Sequence, residues 1–412
     1  MIPRKRLDIA WPDLLSGIGY CLKLEHRRSL ELRLDKACPE GATNLGCLSV
    51  RSGLDALLQT LDFEPGTEIL VSAITIRDMT RIIEAHDLVP VPIDLDFDQL
   101  VVRAEVMAQA VTTRTRAILV AHLFGSRMPM EPILRFARVH HLLVIEDCAQ
   151  AYVGQEYWGH PHSDVSLFSF GPIKTATALA GGILRFREAS LGEAVRACQE
   201  HWPVQSRLSF LARLCKYALL MLLSYRASYS VFVSLCSLMR QNHDHIISQS
   251  VRGFPGDHFL NRIRHRPSSA LLALLERRLT RFDPHRITQR INLAEQLINL
   301  APSLKLAGSQ ALAHTYWVLP ILCPSPEELM HYLWSRGFDA TQGGASLYVV
   351  EPPADRPELN PVEAQQAFRQ LLYLPVYVGI SVQDIEQLAD VLAAYDRLQN
   401  NDSASIRRTG HR

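Results

Sequence analysis

The sequence predicts an α/β fold on a mainly parallel sheet, and three observations predict it. Short aliphatic runs recur between residues 45 and 190, amphipathic stretches separate them, and an acid directly follows one run. Strands of four to six residues joined by helices must be covered on both faces. Ligands in such folds bind at the carboxyl ends of the strands.

In chain order, the strand candidates are 68–72, 89–93, 117–121, 142–146 and 165–170. Helical spacing covers 53–61, 80–86 and 130–140. Residues 208–239 break this alternation, carrying as charges only Arg213, Lys216 and Arg226. The longest uncharged run there, 227–239, falls short of the roughly 20 residues a spanning helix needs. Two readings stand for the segment. One is a helix pair packed on protein; the other is a peripheral membrane contact flanked by Arg207, Arg213, Lys216, Arg240 and Arg252. Further on, helices at 291–300, 327–336 and 384–398 and a strand at 316–323 predict a second, smaller core. The domains expected are therefore 1–200, a helical insertion or linker at 201–265, a small C-terminal α/β domain at 266–400 and a flexible tail at 401–412.

Composition narrows the class. With 412 residues the prior is two domains, and 48% hydrophobic against 21% charged residues suits a folded enzyme. A net charge of +1 argues against a global nucleic-acid-binding field. That value averages over a basic middle, residues 201–300, with 14 Lys+Arg against 5 Asp+Glu. There Arg277, Arg278 and Arg281 share a helix with Leu271, Leu274, Leu275 and Leu279, which reads as a solvated face or a phosphate-binding subset. The eight cysteines form no CxxC pair, so reduced thiols and a cytoplasmic setting are expected. The basic N-terminus has no apolar stretch behind it, so no secretion signal is expected. No metal site is expected either: the pairs His160/His162 and His243/His245 read as surface loop residues.

The chemistry concentrates in residues 144–184. Asp147 follows a strand directly, so its carboxylate stands at a strand's carboxyl end. A second strand leads through Gly171-Pro172 to Lys174 and on to Gly181-Gly182. A lysine past one strand, opposite an acid at the end of another, is the arrangement a pyridoxal phosphate site needs. The amine carries the cofactor as a Schiff base, and the acid keeps the pyridine nitrogen protonated so that the ring accepts electrons. The bland alternative is a solvated surface lysine.

The residues also resemble a family. Asp147-Cys148-Ala149-Gln150-Ala151 and Phe168-Ser169-Phe170-Gly171-Pro172-Ile173-Lys174 resemble the acid and lysine motifs of the DegT-type nucleotide-sugar aminotransferases, fold type I pyridoxal-phosphate enzymes. So do Ser52-Gly53-Leu54-Asp55-Ala56-Leu57, Pro65-Gly66-Thr67-Glu68-Ile69, Ala121-His122-Leu123-Phe124-Gly125 and Leu374-Pro375-Val376-Tyr377, in the family's order. The resemblance implies roles. Lys174 would hold the cofactor and move the substrate's proton, Asp147 would pair with the pyridine nitrogen, and Gln150 would bond the phenolic oxygen. Ser169, Ser52 and Gly53 would bind the phosphate; a helix opening at Ser52-Gly53 argues independently for an anion there. A lysine, where some relatives carry histidine and dehydrate sugars, favours amino transfer.

The chain also departs from the family. Leu54 stands where a phosphate-binding threonine is usual, and Ile76 where an aromatic stacks on the cofactor ring. Arg264-His265-Arg266-Pro267 aligns with a motif that reaches the partner subunit's phosphate, making Arg264 a cross-subunit cofactor contact. Residues 337–344 lack the family's His- or Tyr-rich substrate segment, and no residue there is assignable to a sugar hydroxyl.

The resemblance thus implies a homodimeric aminotransferase that takes an amino group from L-glutamate and gives it to a nucleotide- or lipid-linked keto sugar in glycan or secondary-metabolite synthesis. The alternatives are other pyridoxal-phosphate chemistry (sugar dehydration or transfer to a non-sugar ketone) and a regulator that binds the cofactor without turnover.

Overall fold

The computed structural model describes residues 1–23, 25–39, 41–250, 258–343 and 347–409. Arg252, Gly344 and the last three residues of the expected tail lie outside the described residues. After α1 (Trp11–Leu22) the chain enters a seven-stranded sheet with β1 (Thr43–Cys47), followed by α2 (Val50–Leu61). The sheet continues with β2 (Glu68–Ser72), β3 (Val89–Ile93), β4 (Thr115–Ala121), β5 (Leu143–Asp147), β6 (Val165–Ser169) and β7 (Gly182–Phe186). Its order is β1-β7-β6-β5-β4-β2-β3.

The five aliphatic runs are β2 to β6, and each pairs in parallel with its neighbours from that set. The sequence reading did not find β1 or β7. β7 runs antiparallel to both β6 and β1. β1 reads Thr-Asn-Leu-Gly-Cys, a loop-like composition that becomes a strand only because β7 offers it an edge. Registers bring Ala121 beside Asp147, so β4 and β5 end together, and Asp147 beside Leu167, so β6 continues two residues further to Ser169.

α2 begins three residues earlier than its spacing predicts. Ser49 Oγ accepts the Ser52 amide at 3.2 Å and caps the helix. β7 passes directly beneath this cap. A Cβ on Gly182 would lie 2.7 Å from Val50 N and 2.9 Å from the Ser49 carbonyl carbon, so no larger residue fits without moving backbone.

Beyond the sheet, the apolar segment folds as α3 (Arg207–Leu223) and α4 (Arg226–Leu238), bent by 92° at their junction, followed by α5 (His243–Ser250). Phe210, Leu214, Tyr217 and Met221 recur along one face of α3 and bury in the core shared with α1 and α6 (Ser269–Thr280). The other side is exposed at Leu219, Leu222, Val231, Leu235 and Leu238. Among the described residues, no single helix is long and apolar enough to cross a membrane.

Domain membership differs from the expected boundaries. α6 lies wholly past residue 266, yet it packs with Leu14, Leu34 and Phe168 in the first core. Ile2, expected in the large domain, belongs to the second core with Leu319, Leu333 and Phe338, and its amide donates to the Gly337 carbonyl at 2.7 Å. That core is built on the antiparallel pair Leu319–Leu322 and Leu371–Leu374 and on α7 (Val382–Thr409). α7 continues through Thr409, where a flexible tail was expected.

Asp339 ties the N-terminus, the insertion and the small core together. Its fully buried carboxylate accepts Arg4 Nε at 2.7 Å and Nη2 at 2.8 Å, and also the hydroxyl of Tyr229 on α4. His243 on α5 lies 3.3 Å away and is buried, not the surface residue its loop-like spacing predicted. Removing one partner of a buried ion pair strands the other. Asp339→Ala should therefore lower stability by about 3–5 kcal/mol in urea unfolding. Gly182→Ala should cost about 1–3 kcal/mol in the same measurement, through forced backbone displacement at the helix cap.

Candidate active site

The carboxyl ends of β4, β5 and β6 create the site. Asp147 closes β5, is buried, and accepts the Ala149 amide on Oδ1 at 2.9 Å. From β6 the chain turns through residues 170–173, and the Lys174 amide bonds back to the Gly171 carbonyl at 3.0 Å. That turn returns the lysine side chain to a cavity of about 430 Å³, which Gln150 and Ile76 also line. Its ammonium lies 4.4 Å from the centre of the Trp317 ring.

Burial pulls the Lys174 amine down to about 8; Asp147 opposes the fall and Arg51 adds to it. Asp147 moves the other way. Burial raises its pKa, against the Ala149 amide and the nearby charges of Lys174, His122 and Arg51. Each group thus restrains the other's shift.

Beneath Asp147 lies a saturated hydrogen-bond hub. Glu146 is fully buried and bonds His122 Nε2 at 2.8 Å, the His160 amide at 2.8 Å, Ser163 Oγ at 2.7 Å and the Tyr157 hydroxyl. Burial alone would raise its pKa, but His122, Tyr157 and the amide hold it near 2. His122, Glu146 and Cys148 cluster closely enough to suggest a metal. The donors already on Glu146, and a Cys148 thiol that burial pushes well up, make the cluster a support for the strand ends instead.

Gln150 Oε1 accepts the Phe124 amide at 2.7 Å, which leaves its amide nitrogen as the end to meet a phenolic oxygen. Ile76 is half-buried and held by its pairing with Leu347. Ser169 ends β6, half-buried opposite Gly182. Ser52 and Gly53 sit one turn into α2: the Ser52 amide bonds Ser49 Oγ and the Gly53 amide bonds the Ser49 carbonyl at 3.1 Å. The Ser52 and Gly53 amides are therefore already engaged, and the helix begins at Val50, earlier than expected. Leu54 is fully buried in the core and contributes nothing polar. Arg264 does not line the cavity. Its Nε and Nη2 bond Asp55 of the same chain at 2.8 and 3.0 Å.

Three residues of the site escaped the sequence reading. Arg51 precedes Ser52 directly, pairs with Asp78 at 2.5 Å, and brings a cation felt by both Lys174 and Asp147. Its signal was legible as a cation next to a helix start. Trp317 and Lys5 arrive from distant parts of the chain; Lys5 Nζ lies 3.9 Å from the same Trp317 ring. No local pattern marks either.

The donor set fits pyridoxal phosphate. A buried amine poised near neutrality, a buried acid, a free amide end and a capped helix N-terminus with an adjacent cation match the group's carbonyl, ring nitrogen, phenol and phosphate. The glycine at 182 supplies the backbone clearance beside that helix start.

Comparisons agree with this geometry. The family model of the DegT/DnrJ/EryC1/StrS aminotransferases matches residues 32–210. A UDP-N-acetyl-3-dehydro-alpha-D-glucosamine 3-aminotransferase of Acidithiobacillus ferrooxidans is 32% identical over 203 residues, 47% of this chain and 55% of the relative. A UDP-4-amino-4-deoxy-L-arabinose–oxoglutarate aminotransferase of Shewanella sediminis is 30% identical over 155 residues, 37% of this chain and 40% of the relative. The chain thus matches about half the length of these curated relatives. Among solved structures, the aminotransferase TlmJ of Streptoalloteichus hindustanus superposes with a TM-score of 0.69 at 18% identity, covering 97% of this chain and all of that one. Helicobacter pylori PseC, an aminotransferase of pseudaminic acid biosynthesis, gives 0.68 at 15% identity, covering 95% and 98%. The family-model match, residues 32–210, spans the stretch that builds the sheet and carries Asp147, Gln150, Ser169 and Lys174, so it is this part of the chain that is similar to the DegT/DnrJ/EryC1/StrS aminotransferases.

Proposed function

We propose that the protein is a pyridoxal-phosphate-dependent aminotransferase that moves an amino group from L-glutamate to the carbonyl of a keto sugar. The observation that carries this reading is the Lys174 amine, which lines the cavity, is brought down to about 8 by burial and lies in the field of buried Asp147. When bound, pyridoxal phosphate supplies a carbonyl for capturing amines and a ring that takes up electrons.

The chain's residues do the rest. Asp147 holds a proton at the ring nitrogen, and Gln150 donates its amide to the phenolic oxygen. Ile76 and Trp317 cover apolar surface and exclude water. The N-terminus of α2, Arg51 and Ser169 receive the phosphate. Lys174 Nζ removes and returns the proton at the substrate carbon that bears the nitrogen, a task its near-neutral pKa suits. The names of the two curated relatives, both sugar aminotransferases and one paired with oxoglutarate, support the donor and the acceptor class. The reading includes a homodimer in which Arg264 acts near the partner's site.

Two outcomes test it. Lys174→Ala should abolish the cofactor's visible absorbance and lower turnover by at least about a hundredfold. In the unsubstituted protein glutamate should bleach that absorbance; no change with glutamate or any other amino donor would sink the reading. The pH dependence has a definite sign: below about 8 the Lys174 amine is an ammonium without a lone pair. Cofactor capture by the apoprotein, followed by absorbance, should rise through a midpoint near pH 8 and fall about tenfold per pH unit below it.

A further inference from the structure

The far wall of the cavity is not built for a nucleotide. The helical insertion supplies it, with Leu220 and Leu223 from α3, Phe232 from α4 and Ile246 and Ile247 from α5. The polar groups that share the cavity are largely committed. Arg4 and Tyr229 are bound to Asp339, and Thr341 Oγ1 donates to Asp244 at 2.8 Å. Recognition of a base or of several sugar hydroxyls needs convergent free donors and acceptors, and this wall offers few.

Two cations in the same cavity are differently placed. Among the described residues, neither Lys5 nor Arg6 forms an ion pair with a carboxylate. Lys5 donates to the Trp317 carbonyl at 3.3 Å, and Arg6 lies against the Tyr225 ring with a buried Nε that has no partner. Among the described residues, the Arg6 guanidinium has no carboxylate partner. Burial, with neighbouring Arg290 and Lys174, pushes the Lys5 amine well below its usual range. An anion arriving here would both pair Arg6 and recharge Lys5; beside the apolar wall, that suits an anion that carries hydrocarbon.

We propose that the amino acceptor is an anionic amphiphile. Its carbonyl reaches Lys174, its negative group meets Lys5 and Arg6, and its hydrocarbon chain packs on Leu220, Leu223, Phe232, Ile246 and Ile247. This rests on the aminotransferase reading and names the carrier: a lipid-like chain joined through an anionic group, in place of a nucleotide. The cavity volume of about 430 Å³ suits a ligand of this size. The outer side of α3 and α4, exposed at Leu219, Leu222, Val231, Leu235 and Leu238, would face the lipid phase such a molecule leaves.

The test titrates the cofactor-loaded protein with octyl, decyl and dodecyl phosphate below their micelle concentrations, and with UDP, by calorimetry. Full burial of a methylene is worth roughly fourfold in affinity, so each two-carbon step should tighten binding at least about threefold. UDP should bind more weakly than dodecyl phosphate. Phe232→Ser should flatten the chain-length series, and Ser224→Trp, which fills the cavity from α3, should do the same if the first variant misfolds. Lys5→Ala should weaken all three alkyl phosphates by a similar factor. Affinity independent of chain length, UDP binding tighter than dodecyl phosphate, or a series unaltered in both cavity variants would overturn the proposal. Glutamate bleaching of the unsubstituted protein separates the two readings. Bleaching without chain-length dependence removes the amphiphile alone; chain-length dependence without bleaching removes the transaminase alone.

Discussion

Everything in the site depends on withdrawing Lys174 from solvent while Asp147 stays close enough to be felt. Burial drives the amine toward neutrality and the carboxyl toward its protonated form, and each charge restrains the shift of the other. The parallel pairing of β4, β5 and β6 sustains that balance by holding their carboxyl ends side by side. Glu146, one residue before Asp147, pins the same ends from below through His122, Tyr157, His160 and Ser163. A buried acid with every lone pair engaged is rigid, and rigidity is what a positioned proton acceptor requires.

The roof of the site comes from a different source. Residues 3–7, the insertion helices and the Trp317 region converge over the lysine, and Asp339 fastens them. Arg4, Tyr229 and His243 lie more than a hundred residues apart in places, yet share one carboxylate. This explains why the insertion can be apolar on both sides. One side of α3 is buried against α1 and α6, while part of it and of α4 faces the cavity and the remainder meets solvent.

Much of the large domain was legible from patterns of a few residues. The aliphatic runs became β2 to β6 because a fully buried parallel strand needs an apolar side chain on both faces. Asp147 and Lys174 stood out because each lies at a strand end or in the turn beyond it, and Gln150 only through the resemblance of the motif that follows Asp147. β1 and β7 were not, since Gly, Asn and Thr become strand residues only when a neighbour supplies hydrogen bonds. The domain boundary at 266 failed for a related reason: α6 has a helical pattern anywhere, and only packing shows which core takes it.

The sequence by itself determined the parallel sheet and set an acid and a lysine at strand ends, because these follow from local periodicity; the resemblance of the motifs around them implied the cofactor class. Only the tertiary structure decided what surrounds that pair. It engaged the amides of Ser52 and Gly53 and began the helix at Val50, a choice set by the Ser49 cap. It committed Arg264 to Asp55, three residues past Ser52 on α2. It also carried Lys5 and Trp317 to the lysine and folded an apolar insertion over the cavity. The Ser49 cap is local, but Arg264–Asp55 and Lys5–Trp317 join residues hundreds of positions apart, so those free energies are a property of the packed chain and leave no mark on any short stretch of it.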